Sequence, residues 1–230
     1  SLQTLGCLQA QNKKLIDSLH TIYKKTTIDS SRVIMLIEIA SAYSRNNPDT
    51  CILLAQKALD ISQIKNFEKG KGLALHRLGI GYHLKNNYEQ ALRYYEDSSF
   101  IYQKIGDKKG YANILNNLGA IYQNKNDYIK ATQYYEKSFN IGENIRDNEI
   151  ISKALGNLGA ISLTDGNYIK ALQFFNKSLE IKEKNNDKQG ILTTLTNIGR
   201  VYENQGNYAK SLSYLFRAFQ IAESIGDTRG

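Results

Sequence analysis

The stretch YANILNNLGAIYQNKNDYIKATQYYEKSFNIGENIRDN, residues 111–148, recurs in altered form along the chain. Residues 152–188, SKALGNLGAISLTDGNYIKALQFFNKSLEIKEKNNDK, align with it at a spacing of 40 residues and without a gap. The same register holds from residue 71 onward. Self-similarity at a period of about 20–50 residues is the signature of a repeat array, in which each repeat packs against its neighbours.

Each repeat begins with apolar residues at positions i, i+3 and i+7, the pattern of one face of an α-helix. In residues 111–148 these are Leu115, Leu118 and Tyr122. The glycine after the second of them costs a helix about 1 kcal/mol relative to alanine, so its recurrence implies a packing reason. A second helix follows, with a small residue that allows close approach and then a large one. These columns are Gly79, Gly119, Gly159 and Gly199, then Ala91, Ala131, Ala171 and Ser211, then Tyr95, Tyr135, Phe175 and Leu215.

Residue pairs between the predicted helices combine a residue that tolerates left-handed backbone with a helix N-cap. Six pairs have both features: Asn86-Asn87, Gly106-Asp107, Asn126-Asp127, Gly166-Asn167, Gly206-Asn207 and Gly226-Asp227. Arg146-Asp147 and Asn186-Asp187 keep only the capping aspartate. The sequence therefore predicts helix, tight turn, helix and tight turn in every 40 residues.

One further repeat precedes this series. Leu36, Ile39, Ala40 and Tyr43 form its first helix, Cys51, Ala55, Ala58 and Ile61 its second, and Asn47-Pro48-Asp49 its turn. We predict an all-α, right-handed α-solenoid with eleven helices. Its parts are a tail at 1–10, a capping helix within 11–29 and a repeat region at 30–230, whose five repeats cover about 31–66, 71–105, 111–145, 151–185 and 191–225.

These residues resemble the tetratricopeptide repeat, whose pattern is W-x2-L-G-x2-Y followed by A-x3-F. Here the pattern reads Leu115, Leu118-Gly119 and Tyr122, followed by Ala131 and Tyr135. The chain differs from this pattern in three ways: leucine replaces the first tryptophan, Gly-Asp replaces the closing proline, and the period is 40 rather than about 34 residues. Forty-residue versions resemble those of kinesin light chains and of the sensor regions of bacterial histidine kinases and nucleotide cyclases. The resemblance implies binding of extended or helical peptides along the concave face.

By the family pattern, polar residues of the first helices face this groove. Asn117, Asn157 and Asn197 form one column, and such amides can both donate to and accept from a peptide backbone. The alternative is that asparagine is common in this chain and these residues are merely solvated. The full predicted set is His76, Arg77, His83, Asn113, Asn116, Asn117, Gln123, Asn124, Lys153, Asn157, Thr193, Asn197, Arg200 and Glu203.

Other kinds of site find little support in the sequence. The columns that would hold a lysine and asparagine clamp for C-terminal carboxylates carry His76, Asn116, Gly156 and Thr196, so that clamp is absent. His76 and His83 lie about 10 Å apart along a helix, too far to share a metal. No phosphate loop or nucleophile–base set occurs, and we predict neither an enzyme nor a cofactor. Gly156, which lacks counterparts in other repeats, leaves room either for close approach of a ligand or for neutral drift.

Composition narrows the class of partner. The net charge is +8, but the basic residues are scattered, which argues against a nucleic-acid partner. Cys7 and Cys51 form neither a disulfide framework nor a zinc motif. No run approaches the roughly 18 apolar residues of a membrane span. We therefore expect a protein or peptide ligand.

The two ends of the sequence bear on its cellular context. Residues 1–10, SLQTLGCLQA, are typical of a signal-peptide remnant and favour a periplasmic or extracytoplasmic location; the alternatives are an irregular tail and a cytoplasmic protein. Gly226-Asp227 would open another repeat, so we expect the natural protein to continue. The preferred hypothesis is the sensing or docking region of a larger bacterial signalling protein, and the alternative is a free-standing assembly adaptor. The C-terminal face near Leu215 and Phe219 is a candidate homodimer interface.

Overall fold

The computed structural model describes residues 17, 18, 21, 23, 28–44 and 46–226. Ten α-helices lie within 28–226, and no residue of the described set forms a strand. Their bounds are α1 Asp29–Tyr43, α2 Pro48–Ile64, α3 Glu68–Leu84, α4 Tyr88–Lys104, α5 Lys108–Asn124, α6 Tyr128–Ile145, α7 Asn148–Thr164, α8 Tyr168–Lys184, α9 Lys188–Asn204 and α10 Tyr208–Ser224.

The prediction of an all-α fold is confirmed, and the intra-repeat turns lie where the sequence placed them. Residues 17, 18, 21 and 23 are helical. The rest of the predicted capping helix, and the predicted signal-peptide remnant at 1–10, lie outside the described residues.

Two compact units divide the described chain, one ending at Ile121 and the other beginning at Tyr122. We call them the N-terminal and the C-terminal unit. In the N-terminal unit α1 packs on α2, α2 on α3 and α3 on α4. In the C-terminal unit the same succession runs from α6 to α10. In each unit a second helix is thus packed between its own first helix and the first helix of the next repeat.

The turns recur with the regularity of the repeat. Left-handed residues stand every 20 residues from Asn66 to Gly226, and side chains of the next residues cap the helices, as when Asp127 Oδ1 accepts the backbone N–H of Lys130 at 3.1 Å. Arg146 and Asn186 are left-handed as well, with φ of +54° and +53°. The expectation that these two turns keep only the capping aspartate is therefore wrong. The repeat geometry imposes the left-handed bend even on arginine, a residue that adopts it at an energetic cost.

The glycine column has the packing reason that its recurrence implied. A Cβ at Gly159 would lie 2.7 Å from Cε1 of Phe175 on the paired helix. At Gly199 it would lie 2.9 Å from Leu215, and at Gly79 it would overlap the ring of Tyr95. In these three repeats the large side chain of the second helix therefore packs directly on the backbone of the first.

Aromatic pairs reinforce three of the repeats. Tyr82 stacks on Tyr94, Tyr122 on Tyr134 and Tyr202 on Tyr214, with ring centroids 5.3, 5.4 and 5.5 Å apart. The repeat of α7 and α8 lacks this pair, because Ser162 stands where the others carry tyrosine. The Ser162 hydroxyl donates to the Leu158 carbonyl at 2.9 Å, and Leu163 is buried in the neighbouring core cluster.

Candidate functional site

The polar columns of the first helices are most accessible in the C-terminal unit. Lys153 lies on α7, and Thr193, Arg200 and Glu203 lie on α9; all four are exposed. Asn157 and Asn197, one helical turn beyond Lys153 and Thr193, are half-buried. The side chain of Asn197 makes no hydrogen bond to another described residue, which leaves its amide available. The C-terminal unit thus brings together six of the predicted groove residues on two neighbouring first helices.

In the N-terminal unit the predicted amide column is engaged in the fold. Asn117 Nδ2 lies 2.7 Å from His76 Nε2 of the preceding repeat. An amide NH2 only donates, so in this contact the imidazole Nε2 takes the part of acceptor. Asn117 therefore has a partner inside the fold, and its side chain ties α5 to α3.

Two further predicted groove residues are engaged inside their own units. Asn116 is only 1% exposed and cannot reach a ligand without rearrangement. Gln123, in the C-terminal unit, accepts the Tyr135 hydroxyl at 2.8 Å through Oε1. The remaining members of the set keep accessible surface: Arg77, His83 and Asn113 are half-buried, and Asn124 is exposed.

Burial also sets the protonation of the aromatic cluster around α3. His83 lies edge-on to Tyr88 and Tyr95, with centroids 5.8 and 6.5 Å away, and loss of solvent lowers its pKa. The same desolvation raises the pKa of Tyr95, which is 1% exposed. Both side chains are therefore neutral near pH 7, and the cluster packs as uncharged rings.

A cavity of about 540 Å³ lies beside α7 and the turn between α8 and α9. Lys182 on α8, half-buried, donates from its ammonium to Thr194 Oγ1 at 3.0 Å. Burial lowers the pKa of Lys182, and the negative charge of Asp187 opposes this effect. The cavity is lined by Glu149, Ser152, Lys153, Lys182, Asn185 and Asp187.

Lys182 was not predicted as a site residue, because the equivalent position in the other repeats carries the core residues Ser62, Tyr102, Gly142 and Ala222. A signal was nevertheless present at Gly156. A Cβ at Gly156 would lie 3.9 Å from Lys182 Nζ, so this glycine is at contact distance from the ammonium. The glycine that departs from the repeat pattern is therefore a neighbour of Lys182, which lines the cavity.

The last helix presents apolar side chains to solvent. Leu212, Phe216 and Phe219 of α10 are exposed. Leu179, which stands at the position of Phe219 one repeat earlier, is buried in the cluster that contains residues of α9. In the repeat before, this face of the second helix α8 is covered by the next first helix, α9. The same face of α10 is exposed.

The described residues show neither a metal site nor a membrane span. Within 28–44 and 46–226, His, Cys, Asp and Glu side chains form no group of three that could hold a metal ion. None of the described helices combines the length and the apolar character that crossing a bilayer requires.

Family models of the tetratricopeptide repeat match three stretches, residues 74–99, 110–184 and 191–225. Together they account for most of the chain from α3 to α10. No curated protein sequence matches the chain significantly.

Solved structures of low sequence identity share the fold. BtubC (BKLC) from P. vanneervenii matches with a TM-score of 0.71 at 18% identity, covering 96% of this chain and 92% of its own. The STAND protein with a tetratricopeptide repeat sensor from Pyrococcus horikoshii matches with a TM-score of 0.73 at 17% identity. The match covers 96% of this chain but 35% of the STAND protein. A Rap protein complexed with competence and sporulation factor matches with a TM-score of 0.73 at 14% identity, and the match covers 99% of this chain and 75% of the Rap protein.

These matches confirm the predicted class, an α-solenoid of tetratricopeptide repeats, a fold that supports a scaffold for protein interactions. The chain belongs to the tetratricopeptide-repeat family.

Proposed function

We propose that this chain binds an extended peptide on the first helices of its C-terminal unit and acts as the sensing or docking region of a larger bacterial signalling protein. The observation that carries the proposal is the accessible polar surface of α7 and α9. There Asn157 and Asn197 repeat at a spacing of 40 residues, with Lys153, Arg200 and Glu203 around them.

This surface is suited to a peptide because of the chemistry of its side chains. An amide offers both a donor and an acceptor, which a peptide backbone of any sequence can satisfy. The charged side chains around the amides add a preference for sequence, since complementary charges steer and select a partner. Similarity to the Rap protein that was solved with competence and sporulation factor supports a peptide as the ligand class.

The coverage of related structures supports the role within a larger protein. The matched region is about a third of the STAND protein, whose repeats are described as its sensor. The alternative, a free-standing adaptor, is favoured by BtubC, of which the matched region makes up 92%. The two differ in whether an output domain shares the polypeptide, and the full-length gene product decides between them.

A peptide library displayed on phage and selected on the purified chain tests the binding function. An enriched peptide is then synthesised, and its Kd is measured by fluorescence anisotropy. Replacing Asn157 and Asn197 together by alanine removes two side chains that hydrogen-bond the peptide. At about 0.5–1.5 kcal/mol for each bond, we expect the Kd to rise by about 5- to 150-fold.

Two amides on the paired second helix provide the matched control. Gln173 and Asn176 of α8 are exposed, and their double alanine variant should bind as the unaltered chain does. Thermal melts establish that both double variants stay folded, and Asn197→Ala alone serves if the Asn157 change lowers the melting temperature. Selection of no peptide, or equal binding by both double variants, would refute the proposal.

A further inference from the structure

One other repeat of the chain fills the position equivalent to Lys182 with an aromatic ring. In the N-terminal unit Tyr102 occupies the position equivalent to Lys182 and is 1% exposed. A Cβ at Gly72 or Gly110 would lie 3.1 or 2.7 Å from its ring, which therefore fills the space between them. The Lys182 stem also packs closely here, since a Cβ at Gly190 would lie 2.9 Å from its Cδ, and the side chain lines the cavity of about 540 Å³.

The ammonium of Lys182 is incompletely matched by the fold. Lysine has three N–H donors, and Thr194 Oγ1 takes one of them. The Thr194 hydroxyl in turn donates to the Gly190 carbonyl at 2.8 Å, so it accepts from the lysine as a neutral group. No described carboxylate forms a salt bridge with Lys182. A cation withdrawn from water with one neutral partner gains from an anionic ligand that supplies further acceptors.

The carboxylates at the cavity limit the charge of such a ligand. Asp187 Oδ1 accepts the backbone N–H of Gly190 at 2.9 Å as the cap of α9, and Glu149 is exposed on α7. Their negative charges disfavour a dianion such as phosphate more strongly than a monoanion. Ser152 and Asn185 add neutral polar groups to the lining. The cavity thus combines the under-matched Lys182 with a second, exposed lysine, Lys153, with two carboxylates and with neutral polar groups.

We propose that this cavity binds a peptide carboxylate, with Lys182 as its ion-pair partner. The carboxylate belongs either to an acidic side chain or to a C-terminus of the bound peptide. This inference deepens the proposed peptide-binding function and rests on it for the biological ligand. The proposed site differs from a carboxylate clamp on the first helices, because Lys182 belongs to a second helix, α8, and its ammonium lies near Gly156.

Titrations of the whole chain with small carboxylates test the inference independently of any selected peptide. The chain is labelled with 13C-lysine, and the Cε–Hε resonance of Lys182 is assigned by its loss in Lys182→Met. The probes are N-acetyl-glycylglycine, which has a C-terminal carboxylate, and N-acetyl-glutamate diamide, in which only the side-chain carboxylate is charged. We expect a saturable shift of the Lys182 resonance with at least one of them, and the responding probe identifies the source of the carboxylate.

Variants and neutral probes make the result decisive. Backbone amide shifts of the cavity should follow the same titration, with a Kd at least about tenfold weaker in Lys182→Met, because a hydrogen bond to a charged group is lost. Lys177→Met, at an exposed site on the same helix, should bind as the unaltered chain does. Glu149→Gln should bind about two- to fivefold more tightly, since it removes a repelling surface charge.

N-acetyl-glycylglycine amide should cause no shift. If Lys182→Met fails to fold, Lys182→Gln and the Glu149 variant carry the test. The proposal is overturned if no carboxylate saturates the resonance, if the Lys182 variants bind as before, or if only inorganic phosphate binds. A failed peptide selection would leave these titrations interpretable, so the two proposals can fail separately.

Discussion

Two glycines one turn apart on α7 should respond in opposite directions to the same substitution. A Cβ at Gly159 would lie 2.7 Å from Cε1 and 2.8 Å from Cδ1 of Phe175. A Cβ at Gly156 would find Ser178 Oγ at 3.8 Å and Lys182 Nζ at 3.9 Å, which are ordinary contact distances. Gly156→Ala and Gly159→Ala therefore share their backbone effect and differ in packing.

The magnitudes follow from these distances. Alanine stabilises a helix interior over glycine by roughly 0.5–1 kcal/mol, so Gly156→Ala should raise the free energy of unfolding by that amount. Gly159→Ala has the same gain but forces the fully buried Phe175 ring to move, and such overpacking costs about 1–3 kcal/mol. The helix propensity cancels in the comparison, so Gly156→Ala should be more stable than Gly159→Ala by about 1–3 kcal/mol.

Urea unfolding followed by circular dichroism measures both variants under the same conditions. A second substitution, Phe175→Leu, tests whether the Phe175 ring is the cause. It introduces the side chain that the last repeat has at this position, where Leu215 packs against Gly199. In the Gly159→Ala background this change should cost less than it does alone. Equal stabilities for the two alanine variants would show that Phe175 is not held against the α7 backbone, and the packing argument would fail.

Three further outcomes are expected. Ser162→Tyr supplies the aromatic partner that Phe174 lacks, and the added stack should raise the free energy of unfolding by about 0.5–1.5 kcal/mol. If urea unfolding shows a lower free energy of unfolding instead, Leu163 already fills the site. Arg146→Gly removes a side chain from a left-handed residue at φ +54° and should raise the melting temperature, with a gain of about 1 kcal/mol, whereas a fall would assign Arg146 a stabilising contact. Burial lowers the folded-state pKa of His83 below its unfolded value of about 6.5, so its contribution to stability is complete above that pH and is lost as the pH falls. Urea unfolding at pH 7 and pH 5 measures this effect. The free energy of unfolding should fall less between the two pH values in His83→Phe than in the unaltered chain, and an equal fall would assign the effect to other groups.

The repeat period predicted most of the fold because local signals and packing signals agree. Asparagine or glycine followed by a capping side chain marks the turns, and the glycine and aromatic columns mark the helix pairs. Arg146 shows the limit of such local signals. Nothing in arginine favours a left-handed turn, yet the neighbouring helices fix the bend at that position.

The candidate site was less predictable because its residues depend on contacts between repeats. Asn117, Asn157 and Asn197 are identical in the sequence, but only the structure shows that His76 engages the first of them. Lys182 occupies a core column, and the cavity that it lines is formed together with residues of α7 and of the turn after α8. A pattern of columns cannot report such combinations across different helices.

The succession of helix contacts within each unit also has a consequence for how the chain folds. Helices contact their neighbours in sequence, and where a contact skips a helix, as between α1 and α3 or α7 and α9, it joins consecutive repeats. Contacts this short in sequence require the closure of only small loops, and topologies of this kind fold quickly. A chain emerging from the ribosome can therefore complete each repeat soon after its second helix appears. Such an array can gain or lose a whole repeat at its end while the remaining helices keep the partners they already have.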